Sequence, residues 1–423
     1  MMPEILYFIV MIVTFILCAM WWKQPIGISL IISSIAGAIV AGEGIPVRHL
    51  VEGTFSYLDP ILIIATALVF MEAVRRSGAL GSISTLIITR MHSRPFWLII
   101  LITLFIMFPG MITGLSTATV LTTGALVAPA LMLLGIPTVT VAAMIAMTAI
   151  YGMIAPPINV PAMIIGGGVD MPYIGFEVPL LFATMPLAFG VNLALGYKHI
   201  RNVEIEKIKP KLAENLFPKY GWMLYFPLLL VVVLLLGVRI FPEVFPNLGV
   251  PLIFMIGSLV TLFTGKKSNY FILSHSAIKD ALPVLGILIG IGMFIQIMTL
   301  NGVRGMLVIQ SLSMPSFWQY LSMGVMIPLF GAVSAYGSAS VLGVPFLLSF
   351  LGQNEIVVGA ALSLLTGLGD LMPPTALAGI FAAQVVGEKN YFKVLKVTLI
   401  PALATILWAL AMIYFANDLG KLL

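Results

Sequence analysis

Apolar segments of about 20 residues recur along the whole chain, and short polar stretches separate them. A helix of about 20 apolar residues is long enough to cross the hydrocarbon core of a bilayer. The pattern predicts about ten membrane-spanning helices, in order at residues 4–22, 26–42, 60–74, 138–168, 176–197, 221–238, 247–264, 282–300, 355–386 and 393–416. The amphipathic stretches 81–91 and 303–312 are predicted to lie along the membrane surface.

Two further apolar segments, 95–135 and 315–351, each contain two arms on either side of a tip rich in small and hydroxyl residues. We interpret each segment as a re-entrant hairpin, which enters and leaves the membrane on the same side. Irregular backbone at membrane depth is tolerated only where protein buries it or where it lines a polar cavity. The two tips are therefore predicted to lie inside the protein.

The composition supports this interpretation, since 61% of the 423 residues are hydrophobic and only 9% are charged. Soluble domains carry about 25% charged residues. The fold class is predicted to be an all-α polytopic membrane protein in a lipid bilayer, with the first apolar run retained as a span rather than cleaved. One cysteine and four separated histidines favour neither thiol chemistry nor a histidine metal site, and we expect no enzymatic activity and no nucleic-acid partner.

The second half of the chain repeats the first. Phe96-Trp97 matches Phe317-Trp318, and Gly110 matches Gly331, at one offset of 221 residues (317 minus 96). The proline pair at 156–157 matches the pair at 373–374 at an offset of 217 residues. This duplication predicts three regions: a first repeat at 1–197 (hairpin 95–135, broken helix 138–168), a basic cytoplasmic linker at 198–219, and a second repeat at 220–423 (hairpin 315–351, broken helix 355–386).

Each repeat has five predicted crossings, so the two repeats are expected to sit in the membrane with opposite orientations. If the linker is cytoplasmic, 17 of the 21 Lys and Arg residues face the cytoplasm. The four on the outside are Arg48, Arg239, Arg304 and Lys421. This positive-inside bias predicts a multi-pass protein of the plasma (inner) membrane with both termini outside.

The two proline pairs interrupt helices at membrane depth. Proline in a helix interior costs about 3 kcal/mol, and a pair leaves several carbonyls without donors. Secondary transporters use such breaks, because unwound carbonyls coordinate a coupling cation and half-helix N-termini face an anionic substrate. Hydroxyl and carbonyl oxygens suit a small hard cation such as Na⁺. We therefore expect a cation-coupled transporter of an organic anion, with a carboxylate as the favoured class and with no basic residue at the midplane.

Asp370 is the one acidic residue placed deep in a predicted span, shortly before Pro373. A carboxylate at that depth is a functional hypothesis by default. It is expected to complete a sodium site or to carry a proton. The alternative is that it caps the half-helix that follows the break. Its counterpart in the first repeat is Met153, so the duplication does not account for the acid.

An intramembrane aspartyl protease is a remote alternative, because Gly367-Leu368-Gly369-Asp370 and Pro401-Ala402-Leu403 resemble its GxGD and PAL motifs. That chemistry needs two carboxylates that share a proton. The other candidate, Asp59, lies at the outer end of a span, so this alternative is disfavoured. A passive channel would need a continuous polar stripe, which none of the predicted spans shows.

Four stretches resemble the large membrane subunit of tripartite ATP-independent periplasmic (TRAP) transporters, which belong to a wider ion transporter superfamily. They are MEAVRRSGAL, GLSTATVLTTGALVAPALMLLGIP, APPINVPAMIIGGG and GLGDLMPPTALAGIFAAQ. The resemblance implies an elevator mechanism, in which hairpins and broken helices move as a block. It also implies a small four-helix membrane subunit and a periplasmic binding protein as partners. The alternative is a stand-alone dimeric carrier of the same superfamily that uses Na⁺ or H⁺.

The resemblance and the polar residues together yield two candidate sets. The residues expected to bind substrate are Ser116, Thr117, Thr119, Asn159, Ser338, Ser340 and Thr375. The residues expected to bind the coupling Na⁺, through side chains or carbonyls, are Ser116, Thr119, Gly152, Ala155, Ser338, Gly367, Asp370 and Pro373.

Overall fold

The fold is described from a computed structural model for residues 3–200, 205–241, 243–246 and 248–423. Every regular element in these ranges is helical, which confirms the predicted all-α class. The predicted linker 198–219 lies partly outside the described residues, at 201–204.

The described part of the first half, from residue 3, contains eleven α-helices. They are α1 Pro3–Ile16, α2 Ile26–Val40, α3 Val47–Phe55, α4 Leu58–Ser77, α5 Ala79–Met91, α6 Pro95–Thr113, α7 Ser116–Thr119, α8 Ala125–Leu133, α9 Thr138–Ile154, α10 Val160–Gly167 and α11 Glu177–Gly196. A π-helical turn, Val120–Gly124, joins α7 to α8, and another, Leu17–Trp21, extends α1.

The described part of the second half contains thirteen more. They are α12 Ile205–Ile208, α13 Phe217–Tyr220, α14 Phe226–Ile240, α15 Val250–Val260, α16 Tyr270–Leu300, α17 Val303–Ser313, α18 Ser316–Gly331, α19 Ala335–Ser338, α20 Val344–Ser349, α21 Glu355–Gly367, α22 Leu377–Val386, α23 Tyr391–Tyr414 and α24 Ala416–Leu422. A π-helical turn, Ala339–Gly343, joins α19 to α20.

Within the described ranges, seven helices are long and apolar enough to cross a membrane: Pro3–Trp21, Pro95–Thr113, Ser116–Leu133, Glu177–His199, Phe217–Val238, Tyr270–Leu300 and Tyr391–Tyr414. The number rises to eight if α3 and α4, which meet at a bend of 46°, count as one span. The chain is therefore a multi-pass membrane protein, but fewer single helices reach spanning length than the ten predicted. The proline pairs divide two predicted spans, and the helix predicted at 26–42 ends at Val40.

The helices form two groups. The first, here called the frame, comprises α1–α4 and α14–α16, with α16 packed across α2, α3 and α4. Glycines make this packing close: a Cβ added to Gly292 would lie 2.0 Å from the Gly53 carbonyl oxygen, and one added to Gly290 would lie 2.5 Å from that of Gly27. Such small-residue contacts replace hydrophobic burial as the basis of helix association in lipid.

The second group, here called the broken-helix group, comprises α6–α11 and α18–α23. It contains both predicted hairpins and both proline pairs. Each hairpin has the same internal order, a long arm, a four-residue helix after the tip, a π-helical turn and a second arm. The connecting helices α5 and α17 each begin after a glycine in the left-handed conformation, Gly78 (φ +86°) and Gly302 (φ +75°).

Candidate functional site

Both proline pairs separate two helices within one predicted span. In the first half α9 ends at Ile154 and α10 begins at Val160, and the Pro156–Pro157 bond between them is cis. In the second half α21 continues into a short 3₁₀ turn, Leu368–Leu371, before a cis Pro373–Pro374 bond and α22. Proline lacks an N–H and clashes with the preceding turn, so neither helix can continue through the pair.

Each break is hydrogen-bonded to the hairpin tip of its own half in the same way. The Ile158 N–H donates to the Met111 carbonyl at 3.1 Å, and the Thr375 N–H donates to the Ala332 carbonyl at 3.3 Å. The Thr375 hydroxyl donates to that same carbonyl at 2.7 Å. These residues match at the two offsets read from the sequence, so the duplication extends to the contacts that hold each break.

A glycine pair brings each hairpin against its broken helix. A Cβ added to Gly110 would lie 2.7 Å from the Gly152 carbonyl carbon, and one added to Gly331 would lie 2.8 Å from the Gly369 Cα. Gly152 and Gly369 match at the offset of the proline pairs. Backbone lies against backbone at both places, so a side chain at any of these positions would push the hairpin away.

The hairpin tips also reach across to the break of the other half. The Ser116 hydroxyl of the first tip donates to the Asp370 carboxylate beside the second break, and both side chains are buried. The Tyr336 hydroxyl of the second tip donates to the Gly114 carbonyl at 2.9 Å and lies 3.9 Å from the Met153 sulfur beside the first break. Both tips and both breaks therefore form one connected site.

A cavity of about 950 Å³ leads to this site. Its polar wall beside the tips and the second break is formed by Ser116, Thr117, Ser334, Tyr336, Asp370 and Thr375. Five charged residues of the frame line another part of the cavity, and most of the remaining lining is apolar. The charged residues are Lys23, Glu72, Arg75, Lys279 and Asp280. This part corresponds to the side that the positive-inside pattern predicts to be cytoplasmic. Basic residues in the cavity were not predicted from the sequence. The feature that could have indicated them is their position at the ends of predicted spans on one side of the membrane.

One of these basic residues is partly neutralised by a neighbour. Arg75 donates to both carboxylate oxygens of Glu72 at 2.7 Å, and Arg76 donates to the same carboxylate at 2.6 Å. Lys23 and Lys279 line the cavity as well, and Asp280 offsets one of them, so the three basic and two acidic frame residues of the lining leave a net charge of +1 there. Such a charge raises the local concentration of anions at a cavity entrance.

Four of the predicted ligands lie together on the cavity wall: Ser116, Thr117, Asp370 and Thr375. The others are placed elsewhere. Ser338 donates its hydroxyl to the Ile327 carbonyl at 2.6 Å, and the Thr119 hydroxyl lies 3.5 Å from the Leu115 carbonyl. The remaining predicted residues do not line this cavity. Pro373 is exposed, and the others are buried: Gly152, Ala155, Asn159, Ser340 and Gly367.

Asp370 does not cap the half-helix after its break, contrary to the alternative considered for it. It lies in the 3₁₀ turn before the proline pair. The N-cap position of α22 is Ala376, in the left-handed conformation (φ +38°) and without a side-chain cap. In the first break, Asn159 caps α10, because its side-chain oxygen accepts from the Ala162 N–H at 2.9 Å. Its side-chain amide group donates to the Ile154 carbonyl and to the Ser363 hydroxyl, each at 2.8 Å.

Replacing Asn159 by alanine is expected to lower stability without altering any cation dependence. The change removes an N-cap worth about 1 kcal/mol and leaves the buried Ile154 carbonyl without its donor, at about 1–3 kcal/mol. Thermal unfolding of the purified protein measures the loss. Asn269→Ala, which removes the exposed cap of α16, is the matched control and should cost less because water replaces the bond. Unchanged stability with altered cation dependence would place Asn159 in the ligand set.

Comparison with known proteins supports the fold and no more. No protein family and no curated protein matches this sequence. Among solved structures, the YdaH transporter of Alcanivorax borkumensis is similar with a TM-score of 0.63, at 15% identity over 98% of each chain. MtrF of Neisseria gonorrhoeae, described as illuminating a class of antimetabolite efflux pumps, is similar with a TM-score of 0.60, at 13% identity over 98% of this chain and 95% of its own. Neither is described as a TRAP subunit, and the chain has the fold of these two membrane transporters.

Proposed function

We propose that the protein is a cation-coupled secondary transporter that imports a small organic anion, with a carboxylate as the favoured class. The observation that carries the proposal is the meeting of two hairpin tips and two broken helices around Asp370, at the wall of one cavity. The likeness to two transporter structures supports it at the level of the fold. Na⁺ is the favoured coupling ion, and a proton is the alternative.

Charge balance explains how a cation and an anion become coupled at this site. Asp370 is 7% exposed and receives one hydrogen bond, from Ser116. A charged carboxylate in such a place repels an incoming anion and is itself costly to desolvate. A bound Na⁺ or proton removes the negative charge, so the anion binds well only after the cation. Ser116 and Asp370 supply two oxygen ligands for Na⁺, and backbone carbonyls of the break would complete its shell.

The cavity is suited to a small molecule. Its volume of about 950 Å³ lies within the usual range for ligand pockets of about 300–1,000 Å³. The hydroxyls of Thr117 and Ser334 can donate to a carboxylate from the polar wall, whereas the Thr375 hydroxyl already donates to the Ala332 carbonyl. Lys23 and Lys279 at the entrance would attract the anion without holding it in a buried ion pair. Weak holding at the entrance suits a carrier, which must release what it binds.

The movement proposed is an elevator. The broken-helix group would slide against the frame and carry the hairpin tips with it. Because the two halves are proposed to have inverted orientations, the group could pack against the frame in two equivalent ways, one open to each side of the membrane. Arg304 of α17 donates to the Gly168 carbonyl at the end of α10, which is a contact between a connecting helix and the moving group. We further propose a stand-alone carrier that works as a homodimer, because chains described as a transporter and an efflux pump match this one over 98% and 95% of their own length.

A screen for stabilising compounds tests the proposal and finds the substrate at the same time. Purified protein is heated with a panel of mono- and dicarboxylates in sodium and in choline buffer, because a ligand that binds the folded state raises its melting temperature. Compounds that stabilise the protein only with sodium, or more at low pH, are then offered to proteoliposomes with and without the corresponding ion gradient. Gradient-driven accumulation is expected. Uptake that is indifferent to both gradients, or cleavage of test peptides, would contradict the proposal.

Export is the second candidate. The cavity opens on the side predicted to be cytoplasmic, and MtrF is described as an efflux pump. The same proteoliposomes distinguish import from export. With an inward cation gradient, an importer carries the compound inward together with the cation, whereas an exporter carries it outward as the cation enters.

A further inference from the structure

The duplication places two equivalent positions at the hairpin tips, and their chemistry has diverged. Each position follows a glycine that packs on a hairpin, Gly152 before the first break and Gly369 before the second. The next residue is Met153 in one and Asp370 in the other. Each faces the tip of the opposite hairpin. Two coupling-ion positions would therefore be available if both halves had kept the same side chains.

The position in the second half is lined by oxygen. It holds the Asp370 carboxylate and the Ser116 hydroxyl, and the Thr375 hydroxyl of the break lines the same cavity. The residues that correspond to these three are Met153 and Ile158, at the offset of the proline pairs, and Gly337, which matches Ser116 at the offset of 221 residues. All three are buried. A thioether and a hydrocarbon side chain offer nothing to Na⁺ or to a proton, which require hard oxygen ligands or an ionisable group.

The second hairpin also fills the space beside Met153. Tyr336, which matches Leu115 of the first hairpin, is 8% exposed, and its hydroxyl lies 3.9 Å from the Met153 sulfur. That hydroxyl donates to the Gly114 carbonyl at 2.9 Å, so a carbonyl at the first tip that could have coordinated an ion already has a donor. An ion at this place would have to displace a buried phenol and accept a sulfur neighbour.

We propose that each chain binds one monovalent coupling cation, at Asp370 and Ser116, and that Tyr336 and Met153 close the repeat-related second position. This rests on the proposed function and adds its stoichiometry: one Na⁺ or one proton per chain in each cycle. Because only the number of bound ions is at issue, single-site binding can fail while cation coupling itself holds.

The number of ions is measured directly. Full-length protein is purified in detergent and titrated with radioactive ²²Na⁺ to saturation, and bound ions are counted per chain. One ion is expected in the natural protein and in Met153→Leu, and none in Asp370→Asn. Two ions per chain, or one retained in Asp370→Asn, would overturn the single-site proposal. The count in the natural protein decides the matter even if a variant does not fold.

If no Na⁺ binds, infrared difference spectra recorded across a pH titration provide the proton arm. One carboxylic acid band from a buried group is expected to titrate in the natural protein and to be missing in Asp370→Asn. The absence of both Na⁺ binding and such a band would contradict the proposed function as well, whereas two ions or two bands would contradict only the stoichiometry.

Discussion

Replacing Asp370 by asparagine is expected to abolish the dependence of transport on a cation gradient. Asparagine has nearly the same shape and can still accept a hydrogen bond from Ser116, so the contact between the first tip and the second break persists. The negative charge is lost, and with it the group that a cation must neutralise. We expect gradient-driven accumulation to fall at least tenfold, which is about 1.4 kcal/mol of lost coupling.

Two measurements separate this loss from simple unfolding. The melting temperature of the purified variant should stay near that of the natural protein, since removal of a buried charge does not cost stability by itself. Asp418→Asn, the same change on the exposed face of α24, is the matched control and should transport normally. If Asp370→Asn accumulates substrate with unchanged cation dependence, the assignment of Asp370 is wrong.

Replacing Gly369 by alanine is expected to be the most destabilising single-methyl change in the broken-helix group. The added Cβ would lie 2.5 Å from the carbonyl carbon and oxygen of Gly331. Both contacts are backbone, so no side chain can rotate away, and overpacking of this kind costs about 1–3 kcal/mol or more. Gly152→Ala should behave alike, because its Cβ would lie 2.7 Å from the Met107 carbonyl oxygen.

The readouts are the yield of folded protein and its melting temperature in detergent. Gly190→Ala is the control, since Gly190 lies within α11 and, apart from the backbone of its own helix, no heavy atom lies within 4 Å of an added Cβ. It should melt at or above the temperature of the natural protein, because alanine favours a helix by about 1 kcal/mol over glycine. Equal melting temperatures for Gly369→Ala and Gly190→Ala would show that the hairpin does not pack against the break as closely as described.

The candidate site could be read from the sequence only in part. The positions of Ser116 and Asp370 were predictable because a hydroxyl-rich tip and a lone deep acid are both unusual in an apolar chain. Their mutual hydrogen bond was not, since 254 residues separate them and local patterns carry no information on such a contact. Asn159 drew attention as a polar residue in a break, yet two of its hydrogen bonds hold the break itself and the third joins it to Ser363 of α21. Tyr336 was part of a predicted region but was not singled out, because an aromatic residue in an apolar segment is ordinary.

By itself, the sequence determined that this is an all-helical, multi-pass membrane protein with a duplicated order of elements. Length, hydropathy and two proline pairs are enough for that, because a bilayer admits few alternatives to helices and a proline pair interrupts the hydrogen bonds of a helix. The tertiary structure alone decided that the two tips cross to opposite breaks, that basic side chains from the frame line the cavity, and that Tyr336 lies beside Met153 at the position equivalent to Asp370. These facts depend on how helices pack side by side, and packing joins residues that are far apart in the chain.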